Sequence, residues 1–185
     1  METNVINKAN IQYFQNIEFI EHAEGVTNLM QSLTKSNNYQ IHTYLRQHLI
    51  RMGTLILPQL HNLILSKNAK LRQETSKVIA SIGNKDSIPI LIRLLEDSEG
   101  SIRWIAAEGL IHIGRDSIVP ILKSLIQSVD DLYLKLGARY IFLQLFDTSE
   151  KKYFKRFLLS LKSNNYFSIL APIEAYQALL MFKYA

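Results

Sequence analysis

The chain has 185 residues, 48% hydrophobic and 20% charged, with 7 glycines, 4 prolines and no cysteine. That composition excludes disorder, collagen-like sequence and a low-complexity linker, and the missing thiols exclude disulfide staples, thiolate metal centres and cysteine nucleophiles. The net charge of +5 is local: residues 1–66 carry four Lys/Arg and four Asp/Glu, residues 67–148 eleven against ten, and residues 149–185 six against two. A chain that wraps nucleic acid needs its cations spread along a stripe, one for each neutralised phosphate, so this distribution argues against a nucleic-acid partner.

At the N-terminus, residues 1–10 lack a basic n-region followed by an apolar h-region, and no signal peptide is expected. No apolar run reaches the roughly 18 to 20 residues of a membrane span, so a soluble cytoplasmic protein without a membrane span is expected. Residues 4–20 read as a helix buried through Ile6, Tyr13, Phe14, Ile17 and Ile20, and residues 25–33 as a second. The pentapeptide Lys-Ser-Asn-Asn-Tyr at 35–39, repeated at 162–166, reads as turn chemistry: an asparagine that tolerates positive φ ahead of an aromatic that opens the next helix.

From residue 39 the chain repeats itself. Pro58, Pro89 and Pro120 stand 31 residues apart in Leu-Pro-Gln-Leu, Ile-Pro-Ile-Leu and Val-Pro-Ile-Leu, followed in step by Leu63, Leu94 and Leu125 and by Ile64, Leu95 and Ile126. Proline fits the first turn of a helix, where its missing N–H has no partner to lose, so each segment starts a short helix. Upstream, Leu71, Thr75, Val78, Ile79 and Ile82 match Ile102, Ala106, Gly109, Leu110 and Ile113 at the same spacing, and both rows end in Ile-Gly. The i, i+4, i+7, i+8, i+11 pattern is an amphipathic helix closed by a glycine in the left-handed region. Ala106, Ala107 and Gly109 allow a neighbouring helix to come close. Ile41, Leu45, Leu49 and Met52-Gly53 extend the first-helix pattern backward with one deletion, and Tyr133, Gly137, Ala138 and Ile141 carry it forward. A second helix is expected over 149–162 on Phe154, Phe157, Leu158 and Leu161, and a closing helix over 167–182, starting afresh near Pro172.

The predicted fold is therefore all-α, a right-handed α-α superhelix of about eleven helices forming a single domain. Residues 1–38 supply capping helices, residues 39–145 the regular repeats of about 31 residues, and residues 146–185 an irregular closing unit, because terminal units must end the stack. The segment Ile102-Arg103-Trp104-Ile105-Ala106-Ala107-Glu108-Gly109-Leu110-Ile111-His112-Ile113-Gly114, with Ser117-Ile118-Val119-Pro120-Ile121-Leu122, resembles the HEAT-like repeat of the phycobilisome-lyase type. The resemblance covers roughly residues 40–145. It implies a HEAT/armadillo-like solenoid, a fold shared by scaffolds, lyases and DNA-binding enzymes. It also implies that Arg103 pairs with Asp97 at the end of the preceding unit. Ser66 and Leu134 interrupt that ladder, which leaves Arg72 a solvated helix start or free for another task.

Catalytic constellations are not found. Deoxyhypusine hydroxylases, built from similar repeats, hold two irons on His-Glu pairs just after the repeat arginine, and the matching positions here are Gln73-Glu74, Trp104-Ile105 and Lys135-Leu136. The five histidines form no metal-binding i, i+4 pair, and hydrolase and phosphate-cradling motifs are missing. No cofactor, metal or enzymatic activity is expected. The predicted function is a non-catalytic scaffold or adaptor that binds a protein or peptide on the concave face, where the second helices present Gln59, Asn62, Ile90, Arg93, Ile121, Lys123 and Ser124 beside His61. Ile90 and Ile121 either form an apolar strip beside Arg93 or pack against the neighbouring second helix. Lys151, Lys152, Lys155 and Arg156, interleaved with Tyr153, Phe154 and Phe157, form the one basic patch, which reads either as a solvated amphipathic face or as a site for an acidic protein, nucleic acid or anionic membrane surface. The alternatives are a nucleic-acid-binding solenoid of the DNA-glycosylase kind, for which Trp104 with Arg103 and Arg72 is the relevant group, and a bilin-lyase-like subunit.

Overall fold

The computed structural model describes residues 23–35, 38–128, 131–162 and 169–184. Helix α1 (Ala23–Lys35) precedes three two-helix units: α2 (Tyr39–Met52) with α3 (Leu57–Leu63), α4 (Ala69–Ile82) with α5 (Ile88–Leu94), and α6 (Gly100–Ile113) with α7 (Ile118–Gln127). A fourth first helix, α8 (Leu132–Leu145), leads into the short helices α9 (Thr148–Tyr153) and α10 (Lys155–Ser160), and α11 (Ala171–Tyr184) follows. Among the described residues there is no strand, and the chain is an all-α solenoid. The helix expected over 4–20 and the second Lys-Ser-Asn-Asn-Tyr turn beyond Lys162 lie outside the described residues.

Local chemistry sets the boundaries. Asn38 and Asn68 each accept two backbone N–H groups of the helix that follows, from Gln40 and Ile41 and from Lys70 and Leu71, which satisfies donors no helix can satisfy internally. Asp147 and Glu150 form a reciprocal capping box at α9. Gly53, Gly83 and Gly114 end α2, α4 and α6 with φ of 58°, 63° and 84°, a region costly for any side chain. After each glycine a short 3-10 turn leads into a second helix whose first turn holds the repeat proline.

The first helices stack as a row, α2 on α4, α4 on α6 and α6 on α8, with the second helices packed behind them. Their facing residues, including Leu49, Leu60, Val78, Ile79, Leu91, Leu110, Leu122 and Phe142, are fully buried in one continuous core. Gly109 allows a close crossing: a Cβ there would stand 2.8 Å from the Ala80 Cβ and 3.2 Å from Leu91 Cδ1. Helix α1 packs on α2, α3 and α4, while α11 lies against α7 and touches α10.

Two expectations change. The single helix over 149–162 is broken at Phe154, whose φ of −88° and ψ of 21° leave helical geometry. The turn lets the Phe154 ring stack on Phe146 and Phe182, at 5.2 and 5.3 Å between centroids, while Phe157, Leu158 and Leu161 stay in the core. Asp97 pairs not with Arg103 but with Arg72, whose Nε and Nη2 donate to its two carboxylate oxygens at 2.8 and 2.9 Å. Arg103 instead donates from Nη1 to the carbonyls of Asp97 and Ser98, just as Arg72 does to those of Ser66 and Lys67. The repeat arginine thus reaches back to the loop before its own helix and forward to the loop that ends its own unit. At the forward position Arg103 would meet Ser128 rather than an acid. Its guanidinium rests over the Tyr133 ring, 3.9 Å from the centroid.

Candidate protein-binding surfaces

The second helices α3, α5 and α7 carry the residues expected to meet a partner. Asn62 on α3, Arg93 on α5 and Lys123 on α7 are exposed, and Gln59, Ile90 and Ser124 are half-buried. Asn62, Arg93 and Ser124 stand 31 residues apart on successive units, and Lys123 is the residue before Ser124. Gln59 has a buried side-chain oxygen with no hydrogen-bond partner among the described residues. His61 places Nε2 3.4 Å from Ser87 Oγ, and burial lowers its pKa against the opposing pull of Asp86. Ile90 packs partly on the core. Ile121 departs from the outward reading: it is fully buried, on the helix that α11 packs against. The apolar strip expected beside Arg93 is therefore reduced to Ile90.

A second surface lies at the C-terminal end of the stack. Lys152, Lys155 and Arg156 are exposed and Lys151 is half-buried. Arg156 Nη2 meets Glu174 Oε1 at 2.9 Å, bringing α10 to α11, and Tyr153 donates its O–H to Met181 Sδ at 3.5 Å. Between these contacts runs an open cleft of about 200 Å³, lined among others by Tyr153, Arg156, Phe157, Glu174, Gln177 and Met181. Glu150 is engaged by Arg115 through two hydrogen bonds of 2.6 and 3.2 Å, which hold its carboxyl below the ordinary range against the opposing effect of burial.

Residues 57–140, from the start of α3 into α8, match the family model of HEAT repeats. Residues 57–140 are similar to HEAT repeats. HEAT repeats commonly mediate protein–protein interaction, and the fold is typically non-catalytic. No curated protein and no solved structure matches the chain. Among the described residues no helix is long and apolar enough to cross a membrane.

Within the HEAT-like array Glu74 and Asp97 are bound up in packing, whereas the Glu96 carboxyl is raised by partial burial and the nearby Asp131 charge against the pull of Arg93. Burial would raise the Glu74 carboxyl, but hydrogen bonds from Lys77 and Arg46, each 2.7 Å long, outweigh it and the net shift is downward. The Arg72 hydrogen bonds likewise hold Asp97 low against its partial burial. Among the described residues no group of three His, Asp or Glu could hold a metal ion. The outer row of first helices presents a cluster that the repeat pattern alone left unassigned. Trp104, 55% exposed, lies 4.9 Å from the Tyr140 ring, and the Tyr140 hydroxyl donates to Glu108 at 2.8 Å. Its signal is the Tyr133, Leu136, Tyr140 row at i, i+3, i+7, on the side of α8 away from the core stripe of Leu134, Ala138 and Ile141.

Proposed function

We propose that this HEAT-like protein is a cytoplasmic, non-catalytic adaptor that binds a protein or peptide along its second helices. The repeat of about 31 residues supports the phycobilisome-lyase subtype. The observation that carries the reading is the row of open polar side chains Asn62, Arg93 and Lys123 on three successive units, flanked by the half-buried Gln59, Ile90 and Ser124. Such a row offers hydrogen-bond donors and cations on successive units to an extended ligand, while Glu74, Asp97 and Glu150 are engaged in ion pairs. Buried Ile121 takes no part.

The test is capture from a native lysate by the tagged protein, at low and high salt and with nuclease. Arg93→Glu and Lys123→Glu alter exposed positions, so the fold should stand while retention of the captured protein falls at least tenfold. A capture that vanishes on nuclease treatment and depends on Lys151, Lys152 and Lys155 rather than on Arg93 would favour the nucleic-acid reading instead.

A further inference from the structure

Helix α11 is apolar on two sides. One side, Ala171, Ala175 and Ala178, is buried in the stack. The other, Ile173, Tyr176 and Leu180, continues the line of Ile169 just before the helix, and these four are 55%, 53%, 37% and 71% exposed in that order. Their spacing of i, i+4, i+7 and i+11 is a regular helical stripe, about 16 Å long at 1.5 Å per residue, or three turns of a partner helix. An end unit of a solenoid ordinarily turns a polar face outward, because nothing stacks on it. Here four large apolar side chains do so, and Met181, 49% exposed, and Tyr153, 66% exposed, extend the patch across the cleft toward α9 and α10.

Charge around the patch selects the occupant. Arg156 stands in the cleft wall, and Lys152 and Lys155, both exposed, flank Tyr153 and Arg156 in sequence. Of the described acidic side chains of this end, Glu150 and Glu174 are each engaged by an arginine, and Asp147 is taken up in the capping box at the start of α9. Among the described residues no carboxylate pairs with Lys152 or Lys155. An apolar stripe with a one-sided cationic border suits a helix that is apolar on one face and acidic beside it, and it disfavours a second copy of this chain, which would bring lysine to lysine. We propose that the α11 face with its α9–α10 border is a docking site for an acidic amphipathic helix. The proposal deepens the protein-binding reading by adding a second surface, separate from the Asn62, Arg93, Lys123 row.

The experiment is a display selection on the full chain from 18-residue helical peptides with leucine fixed at i, i+3, i+4 and i+7 and the other positions randomised. The expected result is enrichment of Asp and Glu over Lys and Arg beside the leucine face. The Ile173→Ser/Leu180→Ser and Lys152→Glu/Lys155→Glu variants should each bind the selected peptide at least tenfold more weakly, whereas Arg93→Glu should bind it unchanged. No enrichment, enrichment without an acidic bias, or peptides held equally by the α11 variant would overturn the proposal. So would a dimer in sedimentation that Ile173→Ser/Leu180→Ser dissolves, since a second copy would then be the occupant. Loss of this site with lysate capture through Arg93 intact would leave the adaptor reading standing, and the converse would leave this one.

Discussion

At the residue scale the array is held by arginines that tie helix starts to loops. Arg72 bonds two carbonyls behind it and both oxygens of Asp97 ahead, a bidentate pair whose side chains are 14% and 8% exposed. Removing the carboxylate leaves a partly buried guanidinium short of its partner, so Asp97→Asn should lower stability by about 2 kcal/mol at neutral pH, read from denaturant unfolding. The pH dependence has a definite sign. Arg72 holds the Asp97 carboxyl low, so the folded chain takes up that proton only at lower pH than the unfolded chain does. The contribution is present at neutral pH and is lost as pH falls through the lowered folded-state pKa. The penalty of Asp97→Asn should therefore shrink steadily in acid; a pH-independent penalty would show that the pair is not its source. The sequence placed an arginine–aspartate ladder here but drew it one unit out of register, because spacing names the two residue types and not which way a long side chain reaches.

At the element scale α4 and α6 meet closely. Gly109 leaves no room for a side chain against Ala80, so Gly109→Val must push the two helices apart and should cost about 2–3 kcal/mol, seen as a lower unfolding midpoint with unchanged helical signal at room temperature. A neutral result would mean the two helices are not in register there. This contact was legible in the sequence, since Ala106, Ala107 and Gly109 recur on the stripe where bulk is expected. So were the proline-led second helices, whose spacing leaves no other period. The break at Phe154 was not, because the pull comes from Phe182, which is distant in sequence. For Ile121 the sequence left two fates open, an exposed strip or packing, and the structure buries it. Periodicity aligns it with the half-buried Ile90, yet it is fully buried, on the helix that α11 packs against.

At the scale of the whole molecule, regular units leave repeated surfaces open, and the ends of the stack depart from them. The period of 31 residues places Asn62, Arg93 and Ser124 in one column with Lys123 beside it, whereas the exposed side of α11 has no counterpart in the period and came into view only with the structure. Photocrosslinking tests the central claim most directly, with benzoylphenylalanine placed singly at Arg93, at Lys123 and, on the outer row, at Gln73. The account predicts nuclease-resistant protein adducts at the first two positions and few at the third. Adducts confined to Gln73, or adducts that are nucleic acid at Arg93 and Lys123, would contradict it.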